Sequence, residues 1–312
     1  MTSLIVCGLD VVLHTMATHS AFLQGGEFLE PHCPIHREPL IKGKYDWLFS
    51  CNKCGLEAST LLPDISSGHL SGELSESDRE SGLNSVRVEN GNRILDALAG
   101  ETTGRKLLDV GSGPGFFLTL ATEHRFDAVG LEPDHATASI CMASGQRVRE
   151  GFFPEALSEN ELFDVIALND VLEHIPDLSK AFRGFYEHLY VGGLLLLNCP
   201  DRNGVIYRTA KLLDKLGFSP PFFRMWQLGL PSPHVWYFTR SELRVIAEER
   251  GFEFVRYVDL KTLSRTALYE RVSYVKGQST LFNVLTFVVM WLLVPLLRLL
   301  PSDLGAVIVR KK

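Results

Sequence analysis

From residue 106 onward the apolar positions fall into a repeating arrangement of short runs and helical stretches. Leu107-Leu108-Asp109-Val110, Phe126 to Leu131, Phe163 to Leu168 and Leu194 to Asn198 are too short for helices and suit strands buried on both faces. Arg147 to Glu150 reads as a weaker third strand, and Phe252 to Asp259 and Gly305 to Val309 as two late ones. Between them, Phe116 to Glu123, Leu178 to Leu189 and Ser241 to Gly251 read as helices, the last capped by Thr239 or Ser241. Strands alternating with helices predict an α/β, Rossmann-like doubly wound fold with a mostly parallel seven-stranded sheet. Upstream, Val86, Ile94, Leu95 and Leu98 predict a helix ending near Gly100 that leads into this domain.

The first strand ends in Asp109-Val110-Gly111-Ser112-Gly113-Pro114-Gly115. Three glycines at alternate positions allow a tight turn and close approach of a ligand. The following helix directs its free amides and positive dipole end at that ligand. A dinucleotide fingerprint would need glycine or alanine at position 116, where Phe116 stands. The second strand ends in Glu132-Pro133-Asp134, and a carboxylate at that tip can accept both hydroxyls of a ribose. Asp134 also suits a helix cap. Gly151 and Phe152 follow the third strand, where a backbone amide and an aromatic face could hold an adenine. Asn169 and Asp170 close the fourth strand, so Asp109, Gly111, Glu132, Asn169 and Asp170 share one end of the sheet.

Ahead of this domain, Cys33-Pro34-Ile35-His36 and Cys51-Asn52-Lys53-Cys54-Gly55 form two pairs separated by 14 residues. Together Cys33, His36, Cys51 and Cys54 supply the four ligands of a tetrahedral structural zinc site, with no open position for catalysis. His32 could replace His36. Tyr45-Asp46-Trp47-Leu48-Phe49 alternates like the strand of a zinc-ribbon hairpin. The organisation is then an N-terminal extension (1–30), a zinc-ribbon-like module (31–62), a Ser/Gly/Glu/Asp-rich linker or lid (63–84) and the main domain (85–312). The extension carries Asp10 in its apolar patch and no cationic start, so it is not read as a signal peptide; Met16 is another start codon candidate.

Composition adds two exclusions. A net charge of −6 gives no footprint for nucleic acid. Six cysteines, three in one cluster, are too few for a disulfide scaffold in 312 residues and fit a cytoplasmic compartment.

The succession L-D-V-G-S-G-P-G, G-L-E-P-D, F-D-V-I-A-L-N-D-V-L-E-H-I-P-D and G-G-L-L-L-L-N-C-P-D, over roughly residues 85 to 200, resembles class I S-adenosylmethionine-dependent methyltransferases. The upstream knuckles and His234-Val235-Trp236-Tyr237-Phe238-Thr239 resemble a bacterial branch of that superfamily. The resemblance implies S-adenosylmethionine binding by Asp109, Gly111, Ser112, Gly113, Gly115, Glu132, Pro133, Gly151, Phe152, Asn169 and Asp170. His174 could be a catalytic base or, with Asp170 and Glu173, a ligand of a divalent metal, as similar quinone-precursor O-methyltransferases can use; His234, between Pro233 and an aromatic run, is a catalytic residue at the acceptor site or a structural one. The competing reading of Glu173 and His174 is that they organise the turn after the fourth strand. His188, inside a helix, is expected to be partly buried surface.

Residues 200–240, rich in aromatics, are expected to cap the substrate site. Between the last two strands no charge interrupts Gly277 to Leu297. A chain that crossed a membrane once could not return to complete the sheet, so 277–300 is read as a membrane-facing insertion with Leu281 to Leu297 dipping into the surface. A homodimer or core contact is the competing reading of that stretch. The expected function is methyl transfer, to oxygen, on an apolar or lipid-linked acceptor at the inner membrane face. The alternatives are a sugar or small-metabolite methyltransferase that dimerises through the apolar segment, and a non-catalytic scaffold.

Overall fold

The computed structural model describes residues 23–24, 27–28, 31–62, 76–261, 284, 287–288, 291–292 and 301–312. Most of the N-terminal extension and of the apolar stretch 277–300 therefore lies outside the described residues. Among the described residues, no helix is long and apolar enough to cross a membrane.

A short antiparallel pair, β1 (Leu23–Gln24) and β2 (Glu27–Phe28), precedes the ribbon strands β3 (Ile41–Lys42), β4 (Leu48–Ser50) and β5 (Glu57–Ser59). Helix α1 (Glu76–Glu101) leads into the main domain and begins inside the stretch read as linker. The domain continues as β6 (Lys106–Val110), α2 (Phe116–Glu123), β7 (Asp127–Glu132), α3 (His135–Ala143), β8 (Val148–Glu150) and β9 (Phe163–Asn169). Then come α4 (Leu178–His188), β10 (Leu189–Pro200), α5 (Val205–Lys215), α6 (Pro220–Met225), β11 (Trp236–Tyr237), α7 (Arg240–Glu248), β12 (Phe252–Asp259) and β13 (Leu304–Lys311).

The central sheet has the order β12-β13-β10-β9-β6-β7-β8. Only β13 runs antiparallel to its neighbours, so the sheet is mostly parallel and seven-stranded, as the alternation of elements predicts. Chain order reverses between β6 and β9, which opens a crevice at their carboxyl ends. Val165 to Leu168 on β9 and Leu194 to Leu197 on β10 are fully buried, which explains their unbroken apolar runs. Each leucine so buried contributes about 2 kcal/mol relative to exposure. Helix α7 starts on a capping box in which the Thr239 hydroxyl and the Glu242 carboxylate serve each other's backbone amides.

The ribbon departs from expectation in two ways. Tyr45 to Trp47 form the hairpin turn, and only Leu48 and Phe49 of the predicted strand lie in one. Pairing Gly43 N–H with the Leu48 carbonyl at 2.7 Å closes the hairpin around these aromatics and leaves them to pack on the cap. The ribbon is also not self-contained: β11, far along the chain, pairs antiparallel with β5, setting Trp236 opposite Ala58 and Tyr237 opposite Glu57. Tyr45 and Trp47 stack at 5.4 Å, and Trp47 meets Trp226 edge-on at 5.7 Å. His188, expected at a partly exposed position, is buried with Nδ1 2.8 Å from the Glu161 carbonyl.

Candidate active site

Residues from four strand ends converge on the crevice. Asp109, Asn169 and Asn198 lie near the carboxyl ends of β6, β9 and β10, and their side chains form a chain across them. The Asn198 amide is 3.4 Å from Asn169 Oδ1, and the Asn169 amide 3.5 Å from Asp109 Oδ1. Asp109 is buried without a cation beside it, and that burial raises its pKa to about 8 against the help of Asn169.

Gly111, Gly113 and Gly115 all adopt left-handed backbone (φ 69°, 54° and 91°). An added Cβ at Gly111 would lie 2.6 Å from Val171 Cγ2 and at Gly115 2.6 Å from the Cys141 sulfur, whereas at Gly113 it would meet nothing within 4 Å. The turn is thus packed at both ends and open in the middle, a cradle that a ligand can approach. Ser112 Oγ is buried there with no hydrogen-bond partner.

Glu132 ties this turn to the second strand. Its Oε2 accepts the Gly113 N–H at 2.9 Å and its Oε1 the Asp134 N–H at 3.0 Å. Burial raises its pKa even so. Asp134 caps α3 through the Thr137 amide at 2.8 Å, so both readings of this tip hold together geometrically. Pro133 is half-buried between them, and Gly151 N–H donates to the Glu132 carbonyl at 3.0 Å. The Phe152 ring next to it is largely exposed.

Beyond β9, Asp170 is in left-handed backbone, and a 3-10 turn carries Glu173 and His174. Desolvation lifts the Asp170 carboxyl to about 6, although the residue itself is exposed, and drives the buried Glu173 well above its ordinary range, with Asp170 adding to the latter. His174 Nδ1 donates to the Pro233 carbonyl at 2.9 Å, which leaves Nε2 with its lone pair free to accept a proton. Burial lowers its pKa.

His234 comes from the cap and meets His174 ring to ring at 4.8 Å. The Gln227 amide donates to its Nε2 at 2.9 Å, so Nδ1 carries the proton. That Nδ1 and both Glu173 oxygens are buried with no partner in good hydrogen-bond geometry, the nearest polar groups being the Met225 backbone and the Cys199 thiol. Burial, and His174 next to it, lower the His234 pKa to about 3. One ligand atom each from Glu173, His174 and His234 lie within 4.8 Å of one another, a set that includes His234 in place of Asp170. The contact between two histidines sixty positions apart has no signal in the sequence. The cap hydrogen bond of Val235 N–H to the Glu173 carbonyl, 2.8 Å, makes it.

The knuckle gathers Cys33, His36, Cys51 and Cys54 in the same way, without His32. Cys33 and Cys54 sulfurs are 3.8 Å apart, and His36 Nδ1 is 3.5 Å from the sulfurs of both Cys33 and Cys51. Two sulfurs on a tetrahedral ion with a bond of about 2.3 Å stand about 3.8 Å apart. Burial opposes ionisation of Cys51, yet the amides of Cys54 and Lys53 bring its thiol down to about 7; burial pushes Cys54 up to about 12. Three thiols so close need a cation to ionise together.

Residues 85–257 match the family model described as methyltransferase domain. This chain belongs to the class I S-adenosylmethionine-dependent methyltransferases. Over 142 residues the methyltransferase is 30% identical to the ubiquinone biosynthesis O-methyltransferases of Pseudomonas putida and Pseudomonas fluorescens, covering 43% of this chain and 61% of each relative. It thus spans less than two thirds of those relatives. A crystal structure of a SAM-dependent methyltransferase from Thermotoga maritima shares the fold at a TM-score of 0.50 and 18% identity, over 76% of this chain and 95% of that one.

Proposed function

We propose that this methyltransferase moves a methyl group from S-adenosylmethionine to an oxygen of an apolar or lipid-linked acceptor at a membrane face. Asp109, Gly111, Ser112, Gly113, Gly115, Glu132, Pro133, Gly151, Phe152, Asn169 and Asp170 would hold the donor. The open middle of the glycine cradle and the carboxylates of Asp109 and Glu132, raised in pKa by burial, fit a ligand that brings a ribose and a positive charge. Bound there, the donor supplies an electrophilic methyl group on a sulfonium.

The observation that carries the oxygen reading is His174. Its Nδ1 proton is fixed on Pro233, its Nε2 is free and its pKa is lowered, so it stays an unprotonated base at neutral pH. His234 faces it from an aromatic-rich cap in which Trp226 and Tyr237 are buried. The relatives named ubiquinone biosynthesis O-methyltransferases support oxygen as the accepting atom. Leu281 to Leu297 would contact the membrane; a homodimer contact is the rival use of that segment. The test is incubation of the enzyme and labelled donor with lipid and aqueous extracts. Label in the lipid phase, dependent on His174, supports the proposal; label confined to the aqueous phase overturns it.

Two metal readings accompany this. Cys33, His36, Cys51 and Cys54 would hold a structural zinc, to which their tetrahedral spacing is matched. A divalent cation at Glu173, His174 and His234 is the rival use of His174: it would take the orphaned Glu173 oxygens and the His174 Nε2 lone pair, and His234 would have to give up its Nδ1 proton to join. Mn²⁺ binding followed by electron paramagnetic resonance, lost in His234→Ala, supports it; no bound Mn²⁺ removes it.

A further inference from the structure

Helix α5 is amphipathic the wrong way round. Its inward face carries Tyr207, Ala210 and Asp214, all buried, while Leu212 and Leu216 just beyond its end are 57% and 74% exposed. The inward polar groups explain half of this inversion. The Tyr207 hydroxyl and Lys211 ammonium both engage Glu57 of the ribbon, and Asp214 accepts from Lys44 Nζ at 2.8 Å and from the Tyr45 hydroxyl. These contacts dock α5 on the ribbon through hydrogen bonds. They do not explain why leucines one helical turn apart point into solvent, where two lysines or glutamates would cost nothing.

Two further observations say what covers that face. Arg208 and Lys215 flank the leucines, are exposed and form no ion pair among the described residues, on a chain whose net charge is −6. The helix is also anchored at its start to the end of the apolar segment. The Val205 N–H donates to the Pro301 carbonyl at 3.4 Å, and Asp303 Oδ1 accepts the Ile206 N–H at 2.6 Å, capping a helix whose own N-cap, Gly204, has no side chain. Between nine and seventeen residues upstream of Pro301, Val284, Val288 and Leu292 stand one helical turn apart and are likewise exposed. An apolar stripe with exposed cations at its margin, unpaired among the described residues, has the make-up of a surface that rests in the headgroup region of an anionic bilayer.

We propose that α5 is a membrane-docking helix that inserts Leu212 and Leu216 into an anionic lipid surface while Arg208 and Lys215 engage lipid phosphates. This deepens the membrane-side reading of the acceptor and rests on it for its purpose. The experiment reads lipid binding, so either can fail alone. The full chain is sedimented with phosphatidylcholine vesicles with and without one quarter phosphatidylglycerol, and compared with the double variants Leu212→Ser/Leu216→Ser and Arg208→Gln/Lys215→Gln. S-adenosylmethionine titration checks that each variant is folded.

Binding should require phosphatidylglycerol and weaken at least tenfold in the leucine variant, with roughly fivefold lost per cation removed. Failure of the wild type to sediment, or equal binding by wild type and leucine variant, overturns the proposal. A wild-type dimer in lipid-free buffer that the leucine variant dissolves also overturns it, assigning the face to a second copy.

Discussion

The Ser59 hydroxyl donates to the backbone carbonyl of His234 at 2.6 Å, so the ribbon holds the residue that faces His174. The adjacent bond of Ser59 N–H to the Val235 carbonyl, 2.7 Å, and the β5–β11 pairing continue the same seam. The knuckle residues Cys51 and Cys54 immediately precede β5. The knuckle is therefore structurally upstream of the side of the cleft proposed for the acceptor. The side proposed for the donor, on β6 and β7, does not pair with the ribbon strands in the sheet.

Ser59→Ala removes a buried donor and leaves the His234 carbonyl unpaired. It should destabilise the fold by about 1–3 kcal/mol, measured by urea unfolding. Cys51→Ser, by loosening the knuckle, should reduce methyl transfer more than tenfold and change the near-ultraviolet signal of Trp226 and Trp236, with donor affinity altered less than threefold. Equal loss of donor affinity would show that the two sides of the cleft are not separable.

His174→Gln should lower kcat by about 10²–10⁴, the usual worth of a positioned base. Since burial holds the His174 pKa below the ordinary histidine value, the wild-type rate should stay level as pH falls to about 6.5 and decline only below it. A rate that already declines between pH 8 and 7 on the acid side would mean that another group supplies the base.

Acid lability follows from the same two rings. His174 is depressed and His234 is depressed to about 3, from the ordinary 6.5. As pH falls below 6.5 the unfolded chain takes up protons that the folded rings refuse, so stability is lost between about pH 6.5 and 3. Asp109 acts in the opposite direction. Its folded value of about 8 exceeds the ordinary 3.8, so the folded chain keeps a proton that the unfolded chain has released, and stability falls as pH rises from about 4 to 8. Asp109→Asn should flatten the second decline in thermal unfolding without altering the first.

Gly113→Ala and Gly111→Ala should separate backbone strain from occlusion. Both force a side chain into left-handed backbone, at about 1 kcal/mol. Gly111→Ala also drives a methyl into Val171 and should unfold or aggregate. Gly113→Ala meets no protein atom, so it should fold with a melting temperature within a few degrees of wild type and lose donor affinity by more than tenfold.

Local signals carried much of the donor half of this site. The runs at β6, β7 and β9, the glycine turn and the Thr239 cap are each written within a dozen residues, and the structure realises each close to its expected bounds, whereas β10 starts five residues before the expected Leu194 and ends two after Asn198. The acceptor half depends on pairings between distant positions. Ribbon strands of two or three residues are too short for a period to register, and nothing local in Glu57-Ala58-Ser59 says that it will pair with Trp236-Tyr237. Helix α5 shows the converse. Its apolar positions have helical spacing, yet sequence alone cannot tell that Asp214 faces in and Leu216 out, because Lys44 and Tyr45 decide it from 170 positions away.

The most direct test is calorimetric titration of S-adenosylmethionine into the full chain, repeated with Glu132→Gln. Saturable binding at one site, weakened at least tenfold by Glu132→Gln, is the predicted result. No heat from the folded wild type, or equal affinity in the variant, would contradict a donor held between the glycine turn and Glu132.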